Sequence, residues 1–161
     1  MTTRTLPKLH DHPFVENELQ PQHIEKLRTL AREVRFEPDQ IIFREGDECH
    51  DFYLVVSGRV GLEMEIAAPG RTLRVQTLTA GDELGWSALL MGSGKHFQAR
   101  ALGVVEALAF DGAQMLEACK TDTSFGYALM HRLLAVVAER LQATRLQVID
   151  SYSPAAKRAG A

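Results

Sequence analysis

Residues 51–66 read "DFYLVVSGRVGLEMEI", and this stretch decides the fold class. Aromatic and β-branched side chains fill the two runs Phe52–Val56 and Arg59–Ile66, as is typical of strands. The Ser57-Gly58 pair between the runs has the composition of a tight turn. The sequence therefore predicts a β-hairpin whose two strands pair with each other.

The same pattern continues on both sides of this hairpin. Upstream, residues 34–43 read "VRFEPDQIIF", in which a Pro-Asp turn separates two short apolar runs. Downstream lie three further short runs, "TLRVQTL" at 72–78, "HFQARAL" at 96–102 and "VVEALAF" at 104–110. Short strands between frequent turns are typical of a β-sandwich or barrel, and not of a parallel sheet with intervening helices. We therefore predict a closed β-sandwich or barrel, called the roll below, over about residues 34–110.

Helices are predicted at both ends of the roll. Ile24, Leu27 and Leu30 recur at helical spacing before it, which indicates an amphipathic helix. After the roll, Asp111 is a suitable N-cap for a short helix. A break then precedes a long helix over about residues 124–150.

These elements together predict a mainly β fold with flanking helices, a short helical part before the roll and a long dimerisation helix after it. The polar residues 1–13 are predicted to form a flexible N-terminus, as chain ends commonly do. Residues 14–150 form the predicted domain, and residues 151–161 form a tail of mostly small residues.

Two apolar rows run along the predicted long helix. The first row steps alternately by three and four residues, which is the heptad pattern of paired helices, and includes the polar Thr144. We predict that its apolar members form a homodimer interface. They are Tyr127, Met130, Leu134, Val137, Leu141 and Val148. A second row, at Leu129, Leu133 and Val136, would then face the roll. The alternative is that both rows form one wide stripe that faces the core.

The composition argues against several classes of function. A formal net charge of −3 over 161 residues offers no concentration of Lys and Arg for nucleic-acid phosphates, so we do not expect direct DNA binding. The sequence has no long apolar span and no apolar signal segment, so we expect no membrane insertion and a cytoplasmic location. The histidines within the roll lack metal-ligand spacing, and no motif of a catalytic nucleophile occurs. We therefore predict neither a metal site nor an enzyme.

Four stretches carry a family resemblance. They are "FEPDQIIFREGD" at 36–47, "FYLVVSGRVGLEM" at 52–64, "LTAGDELGWSALL" at 78–90 and "RLQATRLQV" at 140–148. Together they resemble the cyclic nucleotide-binding domain of the cyclic-AMP receptor protein and fumarate-nitrate regulator superfamily, over about residues 14–150. The resemblance implies a β-roll that senses a ligand and a long helix that dimerises. Members of that superfamily normally continue into a winged helix-turn-helix domain, whereas this sequence stops soon after Val148. We therefore expect a stand-alone sensor module that signals to a separate effector protein.

The resemblance also implies a phosphate-binding cassette within residues 84–101. In the family, backbone N–H groups, an Arg and a Ser or Thr hold the cyclic phosphate, and a Glu binds the ribose. Here Gly85 keeps the position where the backbone approaches the ligand, but Trp86 stands in place of the Glu. Lys95 and His96 stand in place of the Arg and the Ser or Thr. Thr144 matches the position on the long helix that offers a hydroxyl to the purine. The candidate ligand-binding residues are Gly85, Trp86, Ser87, Ala88, Lys95, His96, Phe97 and Thr144.

The substituted cassette favours a ligand other than cyclic AMP. Each lost charged hydrogen bond costs about 1.5–3 kcal/mol, so two losses lower the affinity roughly 10²–10⁴-fold. We expect the site to bind another small anion, with Lys95 and His96 supplying positive charge and Trp86 stacking on a flat ring. In a second interpretation Trp86 and Phe97 fill the pocket, and the protein is a ligand-independent adaptor. In a third, contacts such as Thr144 compensate and a cyclic nucleotide still binds. Beyond a nucleotide or other small anion, no cofactor is predicted.

Overall fold

In the computed structural model, which describes residues 7–16, 19–48, 50–66, 69–89 and 97–152, eight strands form two antiparallel sheets. The strands are β1 (Arg32–Phe36), β2 (Ile41–Phe43), β3 (Asp51–Ser57), β4 (Val60–Glu65), β5 (Thr72–Leu78), β6 (Glu83–Leu84), β7 (Gln98–Ala101) and β8 (Val105–Asp111). The first sheet has the order β1-β8-β3-β6, and the second has the order β2-β7-β4-β5. Most successive strands lie in opposite sheets, which is the arrangement of a jelly roll. The predicted fold class is therefore confirmed.

The hairpin predicted over residues 52–66 is wrong. β3 pairs with β8 and β6 in the first sheet, whereas β4 pairs with β5 and β7 in the second. The chain crosses between the sheets at Gly58, whose φ is 89° and whose added Cβ would lie 2.2 Å from the Val104 carbonyl oxygen. Only glycine tolerates this conformation so close to another backbone segment. A turn signal between two β-rich runs shows that the chain turns, but it does not show which sheet each run joins.

β3 is mostly apolar because this strand is buried on both faces. Phe52 and Leu54 point to a core between the first sheet and the helices, and Tyr53 and Val55 point to a second core between the two sheets. A strand that is buried on both faces shows no alternation of apolar and polar residues. β4 loses this character beyond Glu63, where its residues become exposed.

Helices lie at both ends of the roll. Within the described ranges they are α1 (Pro7–His10), α2 (Pro21–Leu30), α3 (Gly112–Thr121) and α4 (Thr123–Tyr152). Proline at the first position of α2 is favourable, because the N–H that it lacks has no intrahelical partner there. The Asp111 carboxylate accepts a hydrogen bond from the Gln114 backbone N–H at 2.9 Å, which confirms the predicted N-cap of α3.

Part of the N-terminal segment packs on the roll. Leu9 and His12 are buried. The His12 Nε2 lies 2.9 Å from the Val55 carbonyl oxygen, and the His12 Nδ1 accepts a hydrogen bond from the Phe14 N–H at 3.1 Å. Residues 1–13 were predicted to form a flexible N-terminus, and within them Leu9 and His12 pack on the rest of the domain. The polar composition gave no sign of the apolar surface on which this segment rests.

The two apolar rows of α4 have different surroundings. Leu129, Leu133 and Val136 are buried in the core between the helices and the first sheet. Tyr127 and Leu134, from the heptad row, are exposed. The alternative in which both rows face the core is therefore wrong, and α4 presents one row to the roll and another to its surroundings.

The burial of α4 also changes along its length. We call residues 123–137 the proximal part and residues 138–152 the distal part. In the distal part every residue except Arg140 is exposed. Within the described ranges, no helix combines the length and the apolar character that crossing a membrane requires.

Candidate functional site

A cavity of about 240 Å³ lies between the second sheet, the corner that follows β6, and α4. The roll contributes mainly apolar and aromatic walls. These are Phe43, Leu62, Leu84, Gly85, Trp86 and Phe97. Gln76 and Ser87 add polar groups from the roll. The helix side consists of Val137, Arg140, Leu141 and Thr144.

The corner after β6 positions Trp86. Gly85 has a φ of 78°, which is left-handed and favours glycine at this position. The chain then forms one 3₁₀ turn over Trp86–Leu89, in which the Ala88 N–H donates to the Gly85 carbonyl at 2.9 Å. Trp86 is half-buried; it packs against the core between the helices and the first sheet, which we call the helix-side core, and it also lines the cavity. The indole therefore links the core to the cavity wall.

The structure brings five of the predicted ligand-binding residues to one cavity. They are Gly85, Trp86, Ser87, Phe97 and Thr144. Ala88 is not among the lining residues; it is buried against α3, where a Cβ added at Gly112 would lie 2.5 Å from the Ala88 carbonyl oxygen. Lys95 and His96 lie outside the described residues.

α4 closes the cavity with residues that sequence analysis assigned to another role. Val137 and Leu141, which were predicted for the dimer interface, also line the cavity. The Thr144 hydroxyl donates to the Arg140 carbonyl one turn earlier, at 2.9 Å. This hydroxyl is therefore committed as a donor inside the helix, but its oxygen can still accept a hydrogen bond from a ligand.

An ion pair that was not predicted from the sequence lies at the edge of the cavity. The Arg140 Nη2 donates to the Glu83 carboxylate at 2.6 Å and also to the Glu83 carbonyl. The Glu83 side chain is 9% exposed and the Arg140 side chain 18% exposed. Burial raises the pKa of the Glu83 carboxyl, and the attraction of Arg140 opposes this rise without cancelling it. Glu83 lies in the stretch 78–90 and Arg140 in the stretch 140–148. Arg140 precedes Thr144 by one helical turn, so helical periodicity was the signal that could have revealed Arg140 as a neighbour of Thr144.

Trp86 and Phe97 line the cavity without filling it in the described part of the molecule. The space that remains is bounded mainly by aromatic and aliphatic side chains, with Gln76, Ser87, Arg140 and Thr144 as the polar lining residues. A concave, mainly apolar site with a few placed polar groups is typical of small-molecule binding. Its chemistry suits a ligand with a flat ring and polar substituents.

Comparison with known proteins agrees with this geometry. Residues 33–122 match the family model of the cyclic nucleotide-binding domain. No curated protein sequence matches the chain.

Solved structures show the same fold at low sequence identity. A cyclic nucleotide-binding domain from Methylobacillus flagellatus is 13% identical with a TM-score of 0.80, over 90% of this chain and 83% of its own. The N-terminal domain of a transcriptional regulator from Streptomyces coelicolor is 23% identical with a TM-score of 0.66, over 88% and 94% of the two chains. The regulatory subunit of a cAMP-independent protein kinase A from Trypanosoma cruzi, bound to guanosine, is 20% identical with a TM-score of 0.59, over 82% of this chain and 50% of its own.

The solved structures share the roll and its flanking helices with this chain, and at these identities they establish the fold alone. The family model does more, because its match covers more than half of the 161 residues. The chain therefore belongs to the cyclic nucleotide-binding domain family.

Proposed function

We propose that this protein is a non-catalytic regulatory module whose cavity binds a small ligand and whose long helix transmits the occupancy of that cavity. The observation that supports the proposal is the composition of the cavity wall. Trp86 comes from the corner after β6, and Arg140, Leu141 and Thr144 come from α4. A ligand held between these two elements contacts both the roll and the helix, so its binding energy depends on where the helix lies.

The ligand class follows from the wall chemistry. The Trp86, Phe97 and Phe43 rings favour a flat aromatic ligand, and the Thr144 oxygen accepts from an amino group. The guanidinium of Arg140 favours a negative charge. We therefore propose a nucleotide-like anion. The guanosine bound to the Trypanosoma cruzi structure supports a purine ring in this type of fold.

The single tryptophan gives a direct test of binding. Trp86 lines the cavity, so its fluorescence should change when cyclic AMP, cyclic GMP or guanosine binds there. A ligand at a hundred times its Kd should also stabilise the fold by about 2.7 kcal/mol, measured as a rise in Tm. If none of these compounds changes either signal at millimolar concentration, the ligand-independent adaptor is the correct interpretation.

A matched pair of variants locates the site. Thr144→Val removes the hydroxyl at the cavity and should weaken a purine that donates to it by about 5–10-fold. Thr77→Val makes the same change on an exposed residue of β5 that does not line the cavity, and should leave affinity unchanged. Equal effects of the two substitutions would place the binding site elsewhere.

We further propose that the exposed heptad row of α4 pairs two copies of the chain. Tyr127, Leu134 and Val148 are exposed and share this row. Heptad rows of this kind pack as knobs into holes. Val148→Arg should therefore shift the mass in solution from dimer to monomer, measured by light scattering, and Gln142→Arg should not, because it adds the same charge off the row. A monomeric wild type would contradict the proposal.

The signal would pass from the distal part of α4 to a separate effector protein. Exposure of nearly the whole distal part supports this assignment, because a partner can reach it without unfolding the roll. We place the module in the cytoplasm, the compartment that supplies free nucleotides. A capture experiment tests this route. The full chain should bind the effector, and a variant that lacks residues 141–152 but keeps a folded roll should not bind it.

A further inference from the structure

The Arg140 guanidinium, which an anionic ligand would bind, is already paired with Glu83. Among the described residues that line the cavity, Arg140 is the one with a formal charge. Its Nη2 already donates to the Glu83 carboxylate at 2.6 Å and to the Glu83 carbonyl. The carboxylate neutralises the guanidinium, so an anion in the cavity gains little attraction while the pair is intact.

The two partners differ in how firmly they are held. Glu83 belongs to β6, whose residue pairs Tyr53↔Leu84 and Leu54↔Glu83 fix it to β3 in the first sheet. The adjacent Val55 N–H donates to the Asp82 carbonyl at 2.8 Å. Arg140 instead belongs to the distal part of α4, in which every other residue is exposed. The ion pair is therefore the tie between a fixed strand and an otherwise weakly held helix segment.

We propose that Glu83 and an anionic ligand compete for Arg140, so that entry of the ligand breaks the direct tie between the distal part of α4 and the roll and replaces it with contacts to the ligand. This inference rests on the proposed function, because it describes how occupancy of the same cavity is transmitted. A guanidinium that turns toward a ligand loses its bond to the Glu83 carbonyl, which cannot follow because β6 is paired in the sheet. The Glu83 carboxyl can remain buried without its partner by taking up a proton, since burial raises its pKa.

The first experiment needs no ligand. Glu83→Gln removes the charge that holds Arg140, and amide hydrogen exchange of residues 141–152 should become at least about fivefold faster than in the wild type. Glu139→Gln removes one negative charge from an exposed neighbour in the same helix and should change the exchange less than about twofold. Both substitutions are also made in the Val148→Arg background, so that helix pairing does not mask the effect. If Glu83→Gln leaves the exchange rates of residues 141–152 unchanged in both backgrounds, the ion pair does not hold the distal part against the roll.

The second experiment compares a charged with a neutral probe by the fluorescence of Trp86. Glu83→Gln should raise the affinity for cyclic AMP about tenfold relative to the affinity for guanosine, because only the charged probe competes with the carboxylate. Glu139→Gln should leave the ratio of the two affinities within about twofold. If Glu83→Gln changes the affinities for both probes equally, Glu83 does not compete with the anionic ligand for Arg140. If neither probe binds any variant, the proposed function fails and the competition fails with it, while the exchange rates still decide whether the tie exists.

Discussion

The proximal and distal parts of α4 both carry large apolar side chains, but the surroundings of these side chains differ. The proximal part buries Phe125, Leu129, Leu133 and Val136 in the helix-side core. The distal part carries a comparable set of large apolar side chains, and all of them are exposed. They are Leu141, Leu146, Val148, Ile149 and Tyr152. The heptad row runs through both parts, and a second, buried row is present in the proximal part, where other elements lie beside the helix.

The polar contacts of the two parts with the rest of the molecule also differ in their partners. Arg132, in the proximal part, donates to the Phe14 carbonyl at 3.0 Å, and its guanidinium lies over the Phe14 ring. The N-terminal segment that it holds is joined to β3 through His12. The distal part has the Arg140–Glu83 pair at the cavity. A helix that is fixed along one part and lightly tied along the other can change its position without unfolding the domain.

The largest expected effect is the loss of a buried side chain in the proximal part. Leu129 is 0% exposed, and Leu129→Ala should lower the free energy of unfolding by about 3 kcal/mol, because it leaves a cavity in the core. Leu134→Ala, at a residue that is 67% exposed, should lower it by less than about 1 kcal/mol. Urea denaturation at low protein concentration measures both. If both variants lose a similar free energy of unfolding, the two rows of α4 do not differ in burial as described.

A smaller loss is expected for the tie. Arg140→Met leaves the buried Glu83 carboxylate without its partner and should cost about 2 kcal/mol at neutral pH. Adding Glu83→Gln should recover most of this loss, because no unpaired charge remains.

The pH dependence of this loss has a definite sign. The pKa of Glu83 is raised in the folded protein, so protonation of the folded state becomes favourable as the pH falls toward the ordinary value of 4.5. The destabilisation by Arg140→Met, relative to the wild type, should therefore shrink at acidic pH and grow as the pH rises through the folded-state pKa. A loss that does not vary with pH would indicate that packing, and not charge, accounts for the effect.

A further prediction concerns the N-terminal contact of the proximal part. Burial lowers the pKa of His12, with Arg132 acting in the same direction and the Val55 carbonyl and Asp82 opposing it. The unfolded state therefore takes up a proton at a higher pH than the folded state does. Stability should fall as the pH drops below about 6.5 toward the folded-state pKa, with a contribution from this group of at most about 1.4 kcal/mol per pH unit. The free energy of unfolding of His12→Gln should lack that contribution over the same pH range. If its slope against pH equals that of the wild type, another group accounts for the pH dependence.

The smallest effect is expected in the distal part itself. Leu146 is exposed and lies off the heptad row, so Leu146→Gln should change the free energy of unfolding by less than about 0.5 kcal/mol. Measurement in the Val148→Arg background removes any contribution from helix pairing. A loss above about 1 kcal/mol would show that the distal part packs on the molecule more than its exposure indicates.

Local patterns predicted the elements better than their pairing. The strand runs, the helix after Pro21 and the Asp111 cap depend on neighbouring residues, and they were recognisable. The pairing of β3 with β8 joins residues far apart in the chain, such as Phe52 and Phe110, and no local signal encodes it. The hairpin prediction failed for this reason.

The same distinction holds at the candidate site. Gly85, Trp86 and Thr144 could be selected from the sequence, because the family resemblance assigns positions to them, and all three line the cavity. Glu83 and Arg140 were not selected, because their importance comes from a contact between β6 and α4. Gln76 and Phe43 reach the cavity from β5 and β2, two strands in which no sequence motif indicated a ligand.

The sequence by itself determined the class of fold and most of the succession of strands and helices, since these follow from residue type and spacing along the chain. Only the tertiary structure decided which of two similar apolar rows is buried, where the chain crosses between sheets, and that Arg140 is bound to Glu83 at the edge of the cavity. The physical reason is that burial and ion pairing depend on the distance between residues in space. A helix with apolar residues at regular intervals is compatible with a core, a partner or a ligand until its neighbours are known.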